Sequence, residues 1–299
     1  MRVKKRSPSV LNIGQLNARS LTNKSAAVND LIVEYQLDLF AIVETWHDGA
    51  DSPIVIASKP PNYRFVKNSR PRTGKLSKCN HGGICVFMKT HFIVCPVTLP
   101  SYSTLEVMLL TVRHGAINAA LLTLYRPGSR PITDEFFTEF ADVLERCSKY
   151  CRCYIVGDIN IHLDDVSSPH TSRLQQLLHS FGLHDCVRQP THNKNHQLDI
   201  FATSDGERPL SLVVQPPTLS DHALIVTTVD TRAATSAPPA RPRVRRRRWA
   251  AFNRENFISE LSQSQLVLSP PDDVDELFQC YDDTITAILD KLAPYADVR

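Results

Sequence analysis

No run in this 299-residue chain approaches the roughly 18 consecutive apolar residues that a membrane span needs. The basic start MRVKKRSPSVLNIG also lacks an apolar secretory core. The expectation is an intracellular protein with no membrane partner. Paired cysteines are missing too. Eight cysteines are scattered along the chain, and the one close group, Cys147, Cys151 and Cys153, has no second ligand pair at zinc spacing. They read as reduced packing thiols. His162, His170, His179, His184, His192 and His196 show no metal spacing and read as surface or packing residues. Acid is absent over one long stretch: Ser52 to Leu105 holds no Asp or Glu, where average composition would supply about five. That stretch carries Lys59, Arg64, Lys67, Arg70, Arg72, Lys75, Lys78 and Lys89. A solvated basic loop would look like this. So would a face for a phosphate backbone, which rewards clustered cations through counterion release.

A hydrophobic content of 42% supports a substantial core. From residue 9 to about 230 short β-rich runs alternate with helical patterns. VLNIGQLN and LDLFAIVET read as strands around the amphipathic NKSAAVNDLIVEY, whose Val28, Leu31, Ile32 and Tyr35 share a face. Strands follow at YRFVKN, GICVFMK, FIVCPV, LEVMLLTVR and INAALLTLY. DEFFTEFADVLERCSKY reads as a helix, CYIVGD as a strand, and SRLQQLLHSFG as a helix stopped by Gly182. LDIFATS, LSLVVQ and ALIVTTV complete the set. Strands outnumber helices, which argues for two packed sheets flanked by helices over a simple doubly wound sheet. After Val229 the composition turns to Ala, Pro and Arg. Residues 231–250 read as a linker, and residues 251–299 contain an amphipathic helix in DDVDELFQCYDDTITAILDKLAP with no evident partner for its apolar stripe.

The stretch YIVGDINIH, Tyr154 to His162, ends an apolar strand on two polar residues around one isoleucine. In an extended chain alternate side chains share a face, so Asp158 and Asn160 would project together with Ile159 opposed. An Asx-type turn explains the same letters more plainly. Other strand ends carry similar residues. The first ends at Asn17, the second at Glu44 in IVETW, and another at Tyr125 in TLYRPG. Asp199 begins LDIF, and TLSDHALIV places Ser220, Asp221 and His222 just before the last strand. A carboxylate, amide, phenol or imidazole at so many separate strand ends points to a site assembled from loops on a rigid scaffold. The residue types fit one chemistry. Magnesium takes one or two carboxylates and keeps waters that a substrate phosphate displaces, and Glu44 is the leading ligand candidate. Asp199 with His222 could make a pair that stabilises negative charge or moves a proton. An aspartate can orient water for in-line attack on phosphorus, with an asparagine holding the same water or a phosphate oxygen. Together they describe metal-assisted phosphodiester hydrolysis.

The ordered set LNARSL, IVETW, LYRPG, VGDIN, LDIF and LSDHALI resembles the endonuclease/exonuclease/phosphatase superfamily. Within it, the set is most similar to the apurinic-like endonuclease domain of non-LTR (LINE-type) retrotransposons, over roughly residues 9–230. Each motif is weak alone; the ordered set is a strong signal. The resemblance implies an α/β four-layer sandwich of two face-to-face mixed β-sheets flanked by helices. It implies that Asn17 and Glu44 form a metal site with Asp221 close by, and that Tyr125 contacts phosphate. Asp158 would activate or orient the attacking water with Asn160 beside it, Asp199 would orient His222, and Ser220 would bind phosphate. Arg70, Arg72 and Lys75 are candidate substrate contacts. The implied cofactor is Mg2+, with Mn2+ as substitute. Arg19 stands where apurinic repair enzymes of the superfamily carry an acidic residue, which speaks against that branch, and Ile159 replaces the usual phenylalanine.

Residues 251–299 resemble the spacer that precedes a reverse transcriptase in such elements, with the polymerase absent from this chain. The implied activity is nicking of double-stranded DNA to leave a 3′-hydroxyl that primes reverse transcription. The implied partners are element RNA and a reverse transcriptase domain, and the implied place of action is the nucleus. Two alternatives stand beside it. One is another phosphatase or nuclease branch of the superfamily, which NARSL and LDIF disfavour. The other is an inactive remnant whose basic segment and arginine run, Arg241 to Arg248, bind nucleic acid without cutting.

Overall fold

A computed structural model of the chain describes residues 10–47, 52–70, 81–115, 117–204, 206–230, 244–249 and 252–298. The chain divides into two compact units, Met1–Ala233 and Ala234–Arg299. The first opens with β1 (Val10–Asn17), α1 (Ser25–Glu34), β2 (Leu39–Val43), α2 (Pro53–Ala57), β3 (Tyr63–Asn68), β4 (Ile84–Lys89) and β5 (Ile93–Val97). It continues with β6 (Glu106–His114), β7 (Ile117–Tyr125), α3 (Asp134–Cys147), β8 (Cys153–Asp158) and α4 (Pro169–Ser180). β9 (Leu183–Asp185), β10 (Asp199–Ser204), β11 (Ser211–Val214) and β12 (Ile225–Asp230) complete it.

The strands form two six-stranded mixed sheets, ordered β11-β12-β1-β2-β4-β3 and β5-β6-β7-β8-β10-β9. Each has one parallel pair near its centre, β1 with β2 and β7 with β8, and each pair is linked by one helix, α1 or α3. The flanking strands β12 and β10 run antiparallel to β1 and β8. The carboxyl ends of the parallel pairs and the amino ends of β12 and β10 therefore lie at the same end of their sheets. Pro96 sits in β5, an edge strand, where a residue without an N–H is tolerated.

The period-2 pattern decides which side chains meet. Leu11 and Ile13 of β1, Tyr154 and Val156 of β8, Leu121 of β7 and Phe201 of β10 pack in the core between the sheets. The opposite faces pack under helices: Ile155 and Ile200 with Phe136, Phe140 and Leu174, and Leu16, Phe40 and Phe87 with Val28 and Ile32. The central strands β2, β4, β7, β8 and β10 are buried on both faces and read as near-continuous apolar runs, whereas β5 and β11 at the edges are largely exposed. Asn17, Tyr125, Asp158 and Asp199 fall in the parity of the inner faces. Gly157 has φ +130°, and a Cβ there would lie 1.9 Å from the Leu124 carbonyl oxygen, so β8 reaches the site only through a glycine.

Helix α3 follows its sequence closely. Thr133 Oγ1 accepts from the Phe136 N–H at its start, Asp134 and Glu135 fill the first turn, and its phenylalanines are buried. Gly182, at φ +65°, stops α4 as its position suggests, its N–H bonding to the His179 carbonyl. The sequence pattern omits α2 and β9. PIVIA is rich in β-branched residues and is one short turn behind Pro53, and a three-residue strand has no period to read.

In the second unit β13 (Val244–Arg247) pairs antiparallel with β14 (Tyr295–Val298), so part of the segment read as linker is a strand. α5 (Arg254–Ser262), α6 (Gln265–Leu268) and α7 (Val274–Leu292) complete it. Asp273 caps α7 by accepting from Asp275 and Glu276 N–H groups, and Lys291 pairs with Glu260 at 2.7 Å. Ile288 is buried, whereas Val274, Phe278 and Tyr281 remain exposed. Among the described residues no helix is long and apolar enough to cross a membrane.

Candidate active site

The inner-face strand ends bring buried polar groups into one hydrogen-bonded cluster. Asn17 Nδ2 donates to Glu44 Oε1 at 2.9 Å and to Asp158 Oδ2 at 2.8 Å, tying the ends of both sheets together. Glu44 Oε2 also accepts from Trp46 Nε1 at 3.2 Å, and the Tyr125 hydroxyl bonds to Glu44. Asp199 lies opposite Asp158 in the ladder, and its Oδ2 is 2.9 Å from His222 Nδ1. His222 Nε2 is 3.8 Å from Asp158 Oδ2. Asn17, Asp158, Asp199 and His222 are all buried. Arg19, Ser20, Glu44, Trp46 and Asn160 have φ between +43° and +90°, a concentration of left-handed backbone at the rim of the cluster.

Asp158 and Asn160 do meet, but not by strand alternation. β8 ends at Asp158, and Asn160 lies beyond it at φ +50°. Its N–H donates to Asp158 Oδ1 at 2.9 Å and its Nδ2 to Asp158 Oδ2 at 2.8 Å, which is an Asx turn. The turn is what aims both side chains at the cluster.

This much buried acid perturbs every group in it. Burial first, then the neighbouring Asp199, pushes the Asp158 carboxyl up, against the pull of His222 and Asn17. Burial alone would lower His222, but Asp199 and then Asp158 and Asp221 raise it to about 9. The surrounding carboxylates therefore favour its imidazolium form. Burial and Glu44 hold the Tyr125 phenol far above its ordinary range, so it remains an O–H donor.

Asp221 sits at the rim. Its Oδ2 meets Arg19 Nη1 at 2.6 Å and His192 Nε2 at 3.2 Å. Its Oδ1 is buried without a hydrogen-bond partner among the described residues. Burial alone would raise this carboxyl, but Arg19 and His222 hold it below its usual value. The carboxylate groupings Asp158, Asp199, His222 and His192, Asp221, His222 each place their ligand atoms within 4.8 Å of one another. An orphaned carboxylate oxygen beside an excess of buried acid fits a divalent cation, whose charge would offset that acid.

Two of the expected substrate contacts have partners within the chain. The single O–H of Ser220 donates to the Asn17 carbonyl at 2.6 Å, and its Oγ accepts from the His222 N–H at 3.1 Å. The hydroxyl ties the loop before β12 to β1. Arg70 lies 5.7 Å from the Tyr125 ring centroid, but its Nε is engaged by Glu106 at 2.5 Å. Arg72 and Lys75 lie outside the described residues.

The structure also adds Arg126 and Thr191, which the sequence pattern does not single out, and places His192, expected as a surface or packing residue, against Asp221. Arg126 is 3% exposed. Its guanidinium donates to the carbonyls of Ile159 (2.8 Å), Asn160 (2.5 Å), Arg130 (2.9 Å) and Pro127 (3.2 Å), and its backbone carbonyl accepts from Asn160 Nδ2 at 2.8 Å. Thr191 Oγ1 accepts from the Leu198 and Asp199 N–H groups, fixing the start of β10. His192 receives the Lys194 N–H on Nδ1 at 3.3 Å, which leaves Nε2–H to donate to Asp221. Arg126 follows Tyr125 directly in LYRPG, a signal that was available; Thr191 and His192 carry none.

The chain matches the Endonuclease/Exonuclease/phosphatase family over residues 11–222. It is similar in fold to the endonuclease domain of TRAS1, a telomere-specific non-LTR retrotransposon, at TM-score 0.58 and 16% identity, over 75% of this chain and 100% of that one. The AP endonuclease LMAP from Leishmania major gives 0.59 and 12% over 74% and 88%. A variant of the 3′ phosphatase NExo from Neisseria, bound to product DNA hairpin, gives 0.57 and 16% over 74% and 99%. No curated protein sequence matches significantly. With its two mixed sheets, its flanking helices and a match spanning most of the first unit, the chain belongs to the Endonuclease/Exonuclease/phosphatase family, whose members are hydrolases of phosphodiester bonds.

Proposed function

We propose that the protein is a magnesium-dependent endonuclease that nicks double-stranded DNA and leaves a 3′-hydroxyl. The observation that carries this reading is the buried cluster in which Asn17 bridges Glu44 and Asp158 while Asp199 holds His222 beside them. Glu44, Asn17 and Asp221 would hold the cation, which when bound supplies positive charge to phosphate oxygens. Asp158 orients the attacking water with Asn160. His222, protonated and fixed by Asp199, stabilises the charge that grows on the phosphoryl oxygens. Tyr125 donates its O–H to a phosphate oxygen. Ser220 positions the loop that carries Asp221 and His222. Arg70, Arg72 and Lys75 belong to the acid-free segment that meets the DNA backbone.

The similarity to the TRAS1 endonuclease domain supports a retrotransposon setting. In that setting residues 9–230 are the nuclease, 231–250 join it to a 251–299 spacer, and the nicked end primes reverse transcription of element RNA by a polymerase in the nucleus. Purified protein is expected to relax supercoiled plasmid with Mg2+ and not with chelator, and to lose this activity as Asp158→Ala or His222→Ala. Equal relaxation by wild type and both variants contradicts the assignment of these residues.

A further inference from the structure

We propose that His162, Asp164 and His196 form a second cation site, separate from the catalytic cluster, that takes a nitrogen-preferring transition ion of the Zn2+ class. Their ligand atoms lie within 4.8 Å of one another, and this is the one such grouping among the described residues that shares nothing with the cluster around Asp158. The His162 and His196 ring centroids are 4.1 Å apart, and Asp164 Oδ2 is 3.0 Å from His196 Nδ1. Two imidazoles and one carboxylate suit zinc, cobalt or nickel, whereas magnesium prefers oxygen ligands alone. The residues are exposed or nearly so, and water can complete the coordination.

An Asp–His pair on a surface is by itself ordinary and weak. What sets this one apart is a third ligand and a backbone that holds all three. The His162 carbonyl accepts from the buried Thr171 hydroxyl at 2.9 Å and from the Asp165 N–H at 3.0 Å. Asp164 Oδ1 accepts from the Gln197 N–H at 2.8 Å, which aims Oδ2 at His196. The His196 carbonyl accepts from the N–H groups of Thr191 and His192. The ligands thus come from two loops already zipped by Ile159 N–H to Leu198 O and Leu163 N–H to Gln197 O. One loop follows Asn160 and the other precedes Asp199, so an ion here clamps together the two segments that carry the turn and the histidine's partner.

The test is calorimetric titration of Zn2+ into the full chain in saturating Mg2+, for wild type, His162→Gln, Asp164→Asn and the double variant His162→Gln/His196→Gln. Wild type is expected to bind one equivalent that the double variant lacks, with the single variants weakened about ten-fold or more. Zn2+ should raise the melting temperature of wild type and not that of the double variant. Should the double variant fail to fold, the single variants, checked by far-UV circular dichroism, carry the comparison. Equal Zn2+ affinity in wild type and the folded variants, or no zinc equivalent in wild type, overturns the site.

Discussion

Replacing Arg126 by methionine should destabilise the protein by about 2–4 kcal/mol and remove most of its nicking activity. The guanidinium is 3% exposed and donates to four backbone carbonyls, two of them in the Asp158–Asn160 turn. Methionine keeps much of the apolar stem and donates nothing. A hydrogen bond from a charged group contributes about 1.5–3 kcal/mol, and each buried acceptor left alone costs about 1–3 kcal/mol. Against this, the substitution removes a cation whose burial already holds its pKa below the ordinary arginine value, and that relief offsets part of the loss. The remainder corresponds to a fall in melting temperature of roughly 5–15 °C. Arg126→Lys retains the charge but not the planar fork that reaches both loops, and should fall between the two. Urea unfolding measures the stability, and steady-state nicking separates kcat from KM. Because Arg126 holds the turn and not the substrate, kcat should fall while KM changes little. A variant within about 0.5 kcal/mol of wild type, or one altered in KM alone, refutes the reasoning.

Activity should decline as pH rises past about 9, because the raised pKa of His222 keeps the imidazolium present below that value and loses it above. Asp199→Asn should move this alkaline limb of kcat/KM to lower pH; an unmoved limb contradicts the pairing. Burial raises Asp185 to about 7, so its proton is bound more tightly in the folded state. The stability this confers is complete below the unfolded value of 3.8 and lost as pH rises through about 7. The stability difference between wild type and Asp185→Asn should therefore shift in favour of the variant between pH 5 and pH 8, and a constant difference in urea unfolding counts against it. Gly157→Ala places a Cβ 1.9 Å from the Leu124 oxygen at φ +130° and should cost about 3 kcal/mol or more, read as lost soluble yield and a lower melting temperature. A variant as stable as wild type would mean that β7 and β8 can part more easily than their packing implies.

The sheet architecture was legible because apolar runs of strand length alternate with helical patterns, and because polar residues sit beside those runs at Asn17, Glu44, Tyr125, Asp158 and Asp199. Inner-face parity then brings Asn17, Tyr125, Asp158 and Asp199 together, since each strand delivers alternate residues to the seam. Glu44, just past β2 and of the other parity, joins them through left-handed backbone at φ +51°. What stayed hidden depends on the tertiary fold. Which of the two readings of YIVGDINIH holds is one such case: the Asx turn does, and Asp158 and Asn160 converge through it, not through extended alternation. That the Ser220 hydroxyl meets the carbonyl of Asn17 is set by the packing of the loop before β12 against β1. His162 and His196, far apart in sequence and at no metal spacing, become neighbours only when two loops zip together. A five-residue helix and a three-residue strand are too short to carry a period.

The most direct test of the central claim is nicking of supercoiled plasmid by the purified protein with Mg2+ or chelator, beside Asp158→Ala and His222→Ala, with DNA binding followed in parallel. Relaxed circles that appear only with Mg2+ and vanish in both variants, while DNA binding persists, are the predicted result. Salt-dependent DNA binding with no nicking by any of the three proteins would contradict it and leave a nucleic-acid-binding member of the family in place of an enzyme.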